Sequence, residues 1–471
     1  MRIERENPAR PAEMVGSVPV TPVTAVDELV RAADHRFRAW SALPLPRRLD
    51  PLRTAAAALD ARTAELAALL ARESGKPVAD CRGEIGFAAR YLEWVCAHAP
   101  AVYGATELDD AAGRLTTTPR PYGVIAAVTP WNAPIILAVL KLGPALAAGN
   151  TVLLKPSPLA PLTVTAVAEL LPETTVVHGG PELVQALVAH PLVGKVAFTG
   201  GEVAGRSIAA AAGRALTPVV LELGGNDPAV FLDDFALTGD DYERLVLASF
   251  ATSGQVCMAA KRLYVPQRRA AEFLDAYVAA AQRILRIGDP ADEDTTMGPV
   301  VNRAAVERIS GLVRDAADRG AELITLARAP RGDGYFADAV LARTPPDDAP
   351  LVCTEQFGPA VPLLTYRDED EMIARANDSE LGLGASVWSA DEDRAFRVAA
   401  RLEAGFTFVN THNRTGMSLR APFGGIKRSG FGREYAEEGL REYVQTTVTH
   451  APGVFRPGGA GLPARAYPPG Q

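Results

Sequence analysis

The sequence predicts an α/β protein of two domains, each organised on a parallel sheet, and three observations lead to that class. Short apolar runs alternate with Ala/Leu-rich stretches of helical spacing, the rhythm of βαβ units. The rhythm starts twice, once near Gly123 and again near Val219. The chain, at 471 residues with 48% hydrophobic and 22% charged, is long enough to bury more than one core without staples.

In chain order, Val26 to Ala99 carries apolar residues at three- and four-residue spacing, broken at Leu43–Pro46 and Ser74–Pro77, and predicts two or three amphipathic helices. Thr106 to Arg120 alternates polar and Thr-rich positions around Gly113, which suits a projecting β-hairpin used for pairing between subunits. Gly123–Val128, Thr151–Leu154, Thr175–Val177 and Lys195–Phe198 read as strands of the first sheet, and Val361–Thr365 and Phe406–Val409 as strands of the second. No repeat of fixed period occurs, and the Pro/Gly/Ala-rich tail at 453–471 is expected to be flexible.

Composition narrows the function classes. A formal net charge of −8, with no basic run interleaved with aromatics, argues against nucleic acid as a partner. The four cysteines, Cys81, Cys96, Cys257 and Cys353, are too sparse for a disulfide scaffold, and no Cys-x-x-Cys pairing or zinc-ligand cluster appears, so no metal is expected. Reduced thiols, an N-terminus without an apolar core and the absence of any run near the ~20 apolar residues of a membrane span predict a cytoplasmic protein.

Three segments carry chemistry. Ser253-Gly-Gln-Val-Cys-Met258 sets a cysteine between a glycine-led turn and small residues, a setting expected to expose the Cys257 thiol at a helix start, where the dipole favours thiolate. Leu221-Glu-Leu-Gly-Gly-Asn226 places a carboxylate, Glu222, at the end of an apolar strand before two glycines that let a ligand approach the backbone. Thr129-Pro-Trp-Asn-Ala-Pro134 offers the Asn132 amide between two prolines, a donor suited to an oxyanion. A lone cysteine is more often a structural one, and a cysteine hydrolase would need a paired histidine, which none of the six histidines supplies.

Nucleophile, carboxylate and amide together resemble the aldehyde dehydrogenase superfamily. The likeness covers nearly the whole chain through GVIAAVTPWNAP, ALAAGNTVLLKPSPLAP, VAFTGGEVAGR, LELGGNDPAVFLDD, SGQVCMAAKRLYV, MGPVVN, EQFGPAVP, LGLGASVWS, AGFTFVN and APFGGIKRSGFGRE, in the family's order. The resemblance implies a Rossmann-like cofactor domain (1–100 and 122–223), a catalytic α/β domain (224–432) and a small β oligomerisation element (101–121 and 440–452), in a homodimer or homotetramer. It implies Cys257 as nucleophile, Asn132 with the Cys257 N–H as oxyanion hole, Glu222 as general base, and Lys141 with Glu437 as a proton path. For NAD or NADP it implies Thr129, Trp131, Lys155, Ser157, the Phe198-Thr199-Gly200-Gly201 turn, Leu223, Glu355 and Phe357.

Several departures bear on function. Pro158 stands where many NAD-specific relatives have a glutamate, so NADP stays open beside NAD. Gly201 replaces a serine, the connection from Ala168 to Gly180 is short, and the chain starts near Asn7-Pro8 without the leading strand many relatives carry. The loop Asn410–Arg420, where the family lines its aldehyde entrance, holds His412, Arg414 and Arg420. Arginines fork onto carboxylates or phosphonates, so the hypothesis is an aldehyde with a second, anionic group; the alternative is that these arginines are merely solvated. Rivals are an acylating, coenzyme A-dependent aldehyde dehydrogenase, against which Glu222 argues, and a catalytically silent relative kept as a binding protein.

Overall fold

The structure, a computed structural model, describes residues 1–453, so the flexible tail expected from the sequence lies outside the described residues apart from Gly453, whose N–H donates to Ala112 O at 2.8 Å. Contrary to expectation the chain opens with a hairpin, β1 (Arg2–Asn7) and β2 (Arg10–Pro19), paired antiparallel from Arg2↔Pro19 to Asn7↔Arg10. Its turn is an Asx turn, Asn7 Oδ1 accepting from the Ala9 N–H at 3.0 Å. The hairpin escaped notice because Arg-Ile-Glu-Arg-Glu has no apolar face of its own. It is held by buried Arg5, whose guanidinium donates to Glu73 O (2.7 Å) and Val301 O (3.0 Å).

Four helices follow rather than two or three: α1 (Val26–Ser41), α2 (Leu45–Ala61), α3 (Thr63–Ser74) and α4 (Val78–Tyr103). The breaks at Leu43–Pro46 and Ser74–Pro77 fall where the prolines put them. The extra division, between α2 and α3, is a single residue, Arg62, with no glycine or proline to announce it. The expected hairpin is β3 (Thr106–Asp110) and β4 (Gly113–Pro121).

The first alternating series runs β5 (Val124–Val128), α5 (Pro134–Ala148), β6 (Thr151–Lys155), α6 (Pro161–Ala168), β7 (Thr174–Val176), α7 (Pro181–Val188), β8 (Val193–Thr199), α8 (Glu202–Ala215) and β9 (Val219–Glu222). The second runs β10 (Pro228–Phe231), α9 (Gly239–Phe250), β11 (Arg262–Pro266), α10 (Ala270–Ile284), α11 (Arg303–Asp318), β12 (Glu322–Ala327), β13 (Ala339–Arg343), α12 (Pro350–Cys353), β14 (Ala360–Tyr366), α13 (Glu369–Asn377), β15 (Leu381–Gly382), β16 (Gly384–Trp388), α14 (Glu392–Ala399) and β17 (Phe406–Val409). The chain closes with β18 (Ile426–Lys427), β19 (Gly430–Phe431), α15 (Ala436–Arg441) and β20 (Val444–Pro452).

The first sheet has the order β19-β9-β8-β5-β6-β7, parallel except for β19. Alternation along β5 divides its core: Ile125 and Ala127 pack with α2–α5, while Val124, Ala126 and Val128 pack with α1, α7 and α8. From β5 the chain moves outward through β6 and β7, then returns to the other side at β8. That reversal opens a crevice at the carboxyl ends of β5 and β8, where ligands of such sheets bind. The second sheet, β12-β13-β14-β11-β10-β16-β17, is parallel except for β12 and is likewise buried on both faces. A third sheet, β20-β4-β3, joins the chain's end to the hairpin. Among the described residues no helix is long and apolar enough to cross a membrane.

Candidate active site

Glu222 is the last residue of β9, paired across the sheet edge with Gly430 of β19. Gly430 has φ +113°, and a Cβ there would stand 1.9 Å from Leu221 O, so only glycine lets β19 close over the carboxyl. The Glu222 side chain is buried; Oε1 rests against Gly424 and has no hydrogen-bond partner among the described residues. Burial above all, then the charge of Glu434, holds this carboxyl well above the usual range, against the pull of Lys141 and Arg433.

Cys257 lies in a turn between the 3-10 turn Ala251–Gly254 and β11, and no helix starts at it. The expected dipole effect is therefore absent. The turn is reached through Thr252 and Ser253 at φ 54° and 58°, and Gly254 packs so closely on Gly358 O that a Cβ would sit 2.3 Å away. Half-buried Cys257 shares the apolar core with Ala133, Leu137, Met258, Met417 and Leu419. Loss of water pushes its thiol up to about 12, the carboxyls of Glu355, Asp227 and Glu222 add to the rise, and the Lys261 ammonium opposes it.

Asn132 is buried and donates from Nδ2 to Gln255 O at 2.9 Å, which brings its amide to the strand of backbone carrying Cys257. The next element, α5, is buried at every position except Leu137. Its N-terminus is satisfied by Glu84 of α4, whose Oε1 accepts from the N–H groups of Ile135 (2.8 Å) and Ile136 (3.2 Å), while Lys76 pairs with Oε2. This capping carboxyl, 51 residues upstream of Ile135, left no mark in the local sequence.

The pairing expected for Lys141 is corrected. Its ammonium, fully buried on α5, contacts Glu434 Oε1 at 2.6 Å and Thr199 Oγ1 at 2.7 Å. Glu437 is on α15, half-exposed, and pairs with Arg441 at 3.2 Å. Mutual backbone bonds between Phe423 and Glu434, both 2.8 Å, turn Glu434 inward, and positive φ at Tyr435 and Ala436 carries the chain away before Glu437.

The cofactor candidates converge on the crevice. Thr129 follows β5, Lys155 ends β6 and Thr199 ends β8. Lys155 is buried without a counter-charge among the described residues, and desolvation draws its ammonium down to about 8. The Thr129 hydroxyl is an orphan as well. Gly201 caps the N-terminus of α8 without a side-chain bond, in open space, leaving backbone N–H groups free for a phosphate. The Gly200 N–H donates to Glu222 O (3.0 Å), the turn folds on Phe198, and Leu223 packs against Gly205. Ser157 Oγ accepts from Leu159 N at 3.2 Å. Across it, Glu355 lies on Gly224 and Gly225, accepting from Gly225 N at 3.2 Å, and Phe357 meets Trp131 edge-to-face at 5.6 Å between centroids. An orphan cation, an orphan hydroxyl and an open helix N-terminus fit a dinucleotide.

In the 410–420 loop the structure separates the three substrate candidates. His412 is buried, with Nδ1 bonded to Ser386 Oγ at 2.7 Å and Nε2 turned to Asp227 at 3.7 Å, so its polar edge faces inward, not to a substrate. Arg414 pairs with Asp80 of α4 at 3.0 Å on the wall of a cavity of about 340 Å³. Arg420 is exposed and forms no ion pair among the described residues. Lys261, four residues past the cysteine, passed unnoticed in the sequence; a lysine after small residues carries no signal by itself. No cluster that could hold a metal ion occurs among the described residues.

Two doubly covered α/β sheets, with a thiol and a buried carboxyl beside a dinucleotide crevice, are the architecture of an NAD(P)-dependent oxidoreductase. The chain belongs to the aldehyde dehydrogenase family, whose model it matches over residues 1–449. It is 36% identical over 455 residues to the NADP-dependent succinate-semialdehyde dehydrogenase of Escherichia coli (strain K12), covering 94% of this chain and 93% of that one. To the glutarate-semialdehyde dehydrogenase of Pseudomonas aeruginosa it is 35% identical over 454 residues, covering 94% and 92%. A Mycobacterium tuberculosis aldehyde dehydrogenase complexed with NAD+ superposes with a TM-score of 0.90 at 31% identity, covering 96% of this chain and 95% of that one. The protein oxidises an aldehyde to a carboxylic acid with NAD or NADP.

Proposed function

We propose that Cys257, Glu222 and Asn132 carry this oxidation and that the substrate is a semialdehyde, an aldehyde with a carboxylate at its far end. The observation that carries the catalytic assignment is the contact of the two segments: Gly225, three residues past Glu222, lies against Cys257 O, where a Cβ would stand 2.7 Å away. Glu222, once ionised, accepts the thiol proton, and the sulfur adds to the aldehyde carbon to form a thiohemiacetal. The Asn132 amide and the Cys257 N–H stabilise the alkoxide, each such donor contributing about 3 to 4 kcal/mol. When bound, NAD(P) supplies the hydride acceptor. Glu222, having passed the thiol proton to solvent, then deprotonates a water that attacks the thioester and returns that proton to the leaving sulfur, releasing the acid and the thiol.

The substrate assignment rests on Arg420 and on the partly buried apolar side chains that, like Cys257, pack on the first core. Leu137, Met417 and Leu419 suit a short aliphatic spacer, and Arg420, free of ion pairs among the described residues, suits the terminal carboxylate. Both named relatives above act on such semialdehydes. Pro158, lacking a carboxylate that would repel a 2′-phosphate, supports use of NADP as well as NAD. Residues 1–100 with 122–223 are read as the cofactor domain, 224–432 as the catalytic domain, and 101–121 with 440–452 as the oligomerisation element. Edges at β3 and β20 that are unpaired among the described residues support assembly into a homodimer or homotetramer, and four cysteines without a disulfide among the described residues support a cytoplasmic location.

The test follows nicotinamide reduction with succinate and glutarate semialdehydes and with uncharged aldehydes, with each cofactor. Turnover absent in Cys257→Ala and lost in Glu222→Gln is the expected result. Turnover retained in Cys257→Ala, or reduction only after coenzyme A is added, would overturn it.

A further inference from the structure

We infer that Lys261 is a positioning residue for the reaction of Cys257, one ammonium that locks the nucleophile turn, the loop after β9 and Glu355 into a single frame and sets a positive charge against the backbone of the nucleophile. The inference rests on the reading of Cys257 as nucleophile.

Lys261 Nζ has three protons and three acceptors at short range: Cys257 O at 2.6 Å, Glu355 Oε1 at 2.7 Å and Gly225 O at 2.8 Å. Glu355 Oε1 closes the same frame from the other side, accepting from Gly225 N at 3.2 Å as well as from Lys261. The group is 4% exposed, so these bonds act where water screens little. Its backbone N–H donates to Asp227 O at 3.0 Å, which ties the stem of the lysine to the same loop as the head. The ring of Phe357 stands 5.8 Å from the ammonium, so even the aromatic that pairs with Trp131 leans on it.

The charge balance around the sulfur gives the lysine its second task. Glu222 at the end of β9, Asp227 just before β10 and Glu355 after α12 act on the Cys257 thiol with negative charge, and the one positive group among those acting on it is Lys261. Three acidic residues and burial all oppose thiolate, and a single cation favours it. Glu355 stands on the opposite side of that balance: it neutralises the lysine and adds its own negative charge. Removing the lysine and removing Glu355 should therefore move the thiol in opposite directions, which a purely structural bolt would not do.

The experiment is alkylation of the cofactor-free enzyme by iodoacetamide between about pH 7 and pH 10, with the label on Cys257 separated from Cys81, Cys96 and Cys353 by peptide mass spectrometry. Lys261→Met is expected to slow Cys257 labelling roughly tenfold, the change that one unit of thiol pKa produces. Glu355→Gln is expected to accelerate it, and Lys261→Arg to keep a profile near that of the parent. Identical profiles in the parent, Lys261→Met and Glu355→Gln would overturn the proposal, as would Lys261→Arg falling as far as Lys261→Met. Should Lys261→Met not fold, Glu355→Gln and Lys261→Arg decide between the same outcomes. A wrong nucleophile assignment would instead show as turnover surviving in Cys257→Ala, a measurement independent of the labelling series.

Discussion

Lys141 Nζ and Glu434 Oε1 meet 2.6 Å apart at the floor of the site, joining residues 293 positions apart, and both are buried. The two act on Glu222 with opposite signs: the charge of Glu434 raises its carboxyl and that of Lys141 lowers it. As the proposed base, Glu222 works only when ionised, so activity should climb as pH rises through its raised pKa. Lys141→Met should move that limb to higher pH and Glu434→Gln to lower pH, while Glu437→Gln changes the rate less than about twofold, as for an exposed i,i+4 pair. The pH dependence of thioester hydrolysis checks this, and limbs that shift together would refute it.

Lys155 is charged below about 8 and neutral above. A phosphate-bearing cofactor favours the charged form, so binding above that pH must take up a proton, and affinity should fall as pH rises from about 8 toward the ordinary lysine value of ~10.4. Fluorescence titration with NADP is expected to show this decline in the parent and a flat, weaker profile in Lys155→Met. A flat profile in the parent would place the ammonium away from the cofactor.

Arg420 and Arg414 should separate in substrate kinetics. Arg420→Ala is expected to raise KM for a semialdehyde about tenfold, the loss of one charge-assisted pair of ~1.5 kcal/mol, and to leave an uncharged aldehyde of equal length within twofold. Arg414, already paired with Asp80, should affect neither by much. An equal loss on both aldehydes in Arg420→Ala would remove the case for an anionic substrate.

Glu84 carries two loads, its ion pair with Lys76 and the cap of α5. Glu84→Gln leaves a buried lysine uncompensated, a loss of about 3 to 5 kcal/mol. A clear drop in melting temperature is expected, together with reduced kcat because Asn132 stands just ahead of the capped helix. A melting temperature unchanged within error would show that the cap is dispensable.

Much of this was legible before any coordinates, and for physical reasons. A buried parallel strand must be apolar on both faces, which is why β5, β6 and β8 were read within a residue or two. The segment around Glu222 announced itself because a charged residue among Val, Leu and paired Gly is out of place unless something uses it. The hairpin β1–β2 stayed hidden because its alternation is between charged residues, and its burial depends on partners as distant as Val301. Glu434 and Glu437 are near neighbours in one acidic stretch, and nothing local distinguishes them.

By itself, then, the sequence determined the α/β class and the family resemblance and singled out Cys257, Glu222 and Asn132 as candidates, because strand composition and glycine-flanked reactive groups are local properties of the chain. The tertiary structure alone decided that Glu434 and not Glu437 meets Lys141, that His412 faces Asp227 rather than substrate, that Cys257 lacks a helix dipole, and that Lys261 ties three loops together. Each of those depends on the direction in which a side chain leaves the backbone after a turn and on what distant segment packs there, and positive φ at Tyr435 or a glycine at 430 redirects a side chain without altering the character of the residues around it.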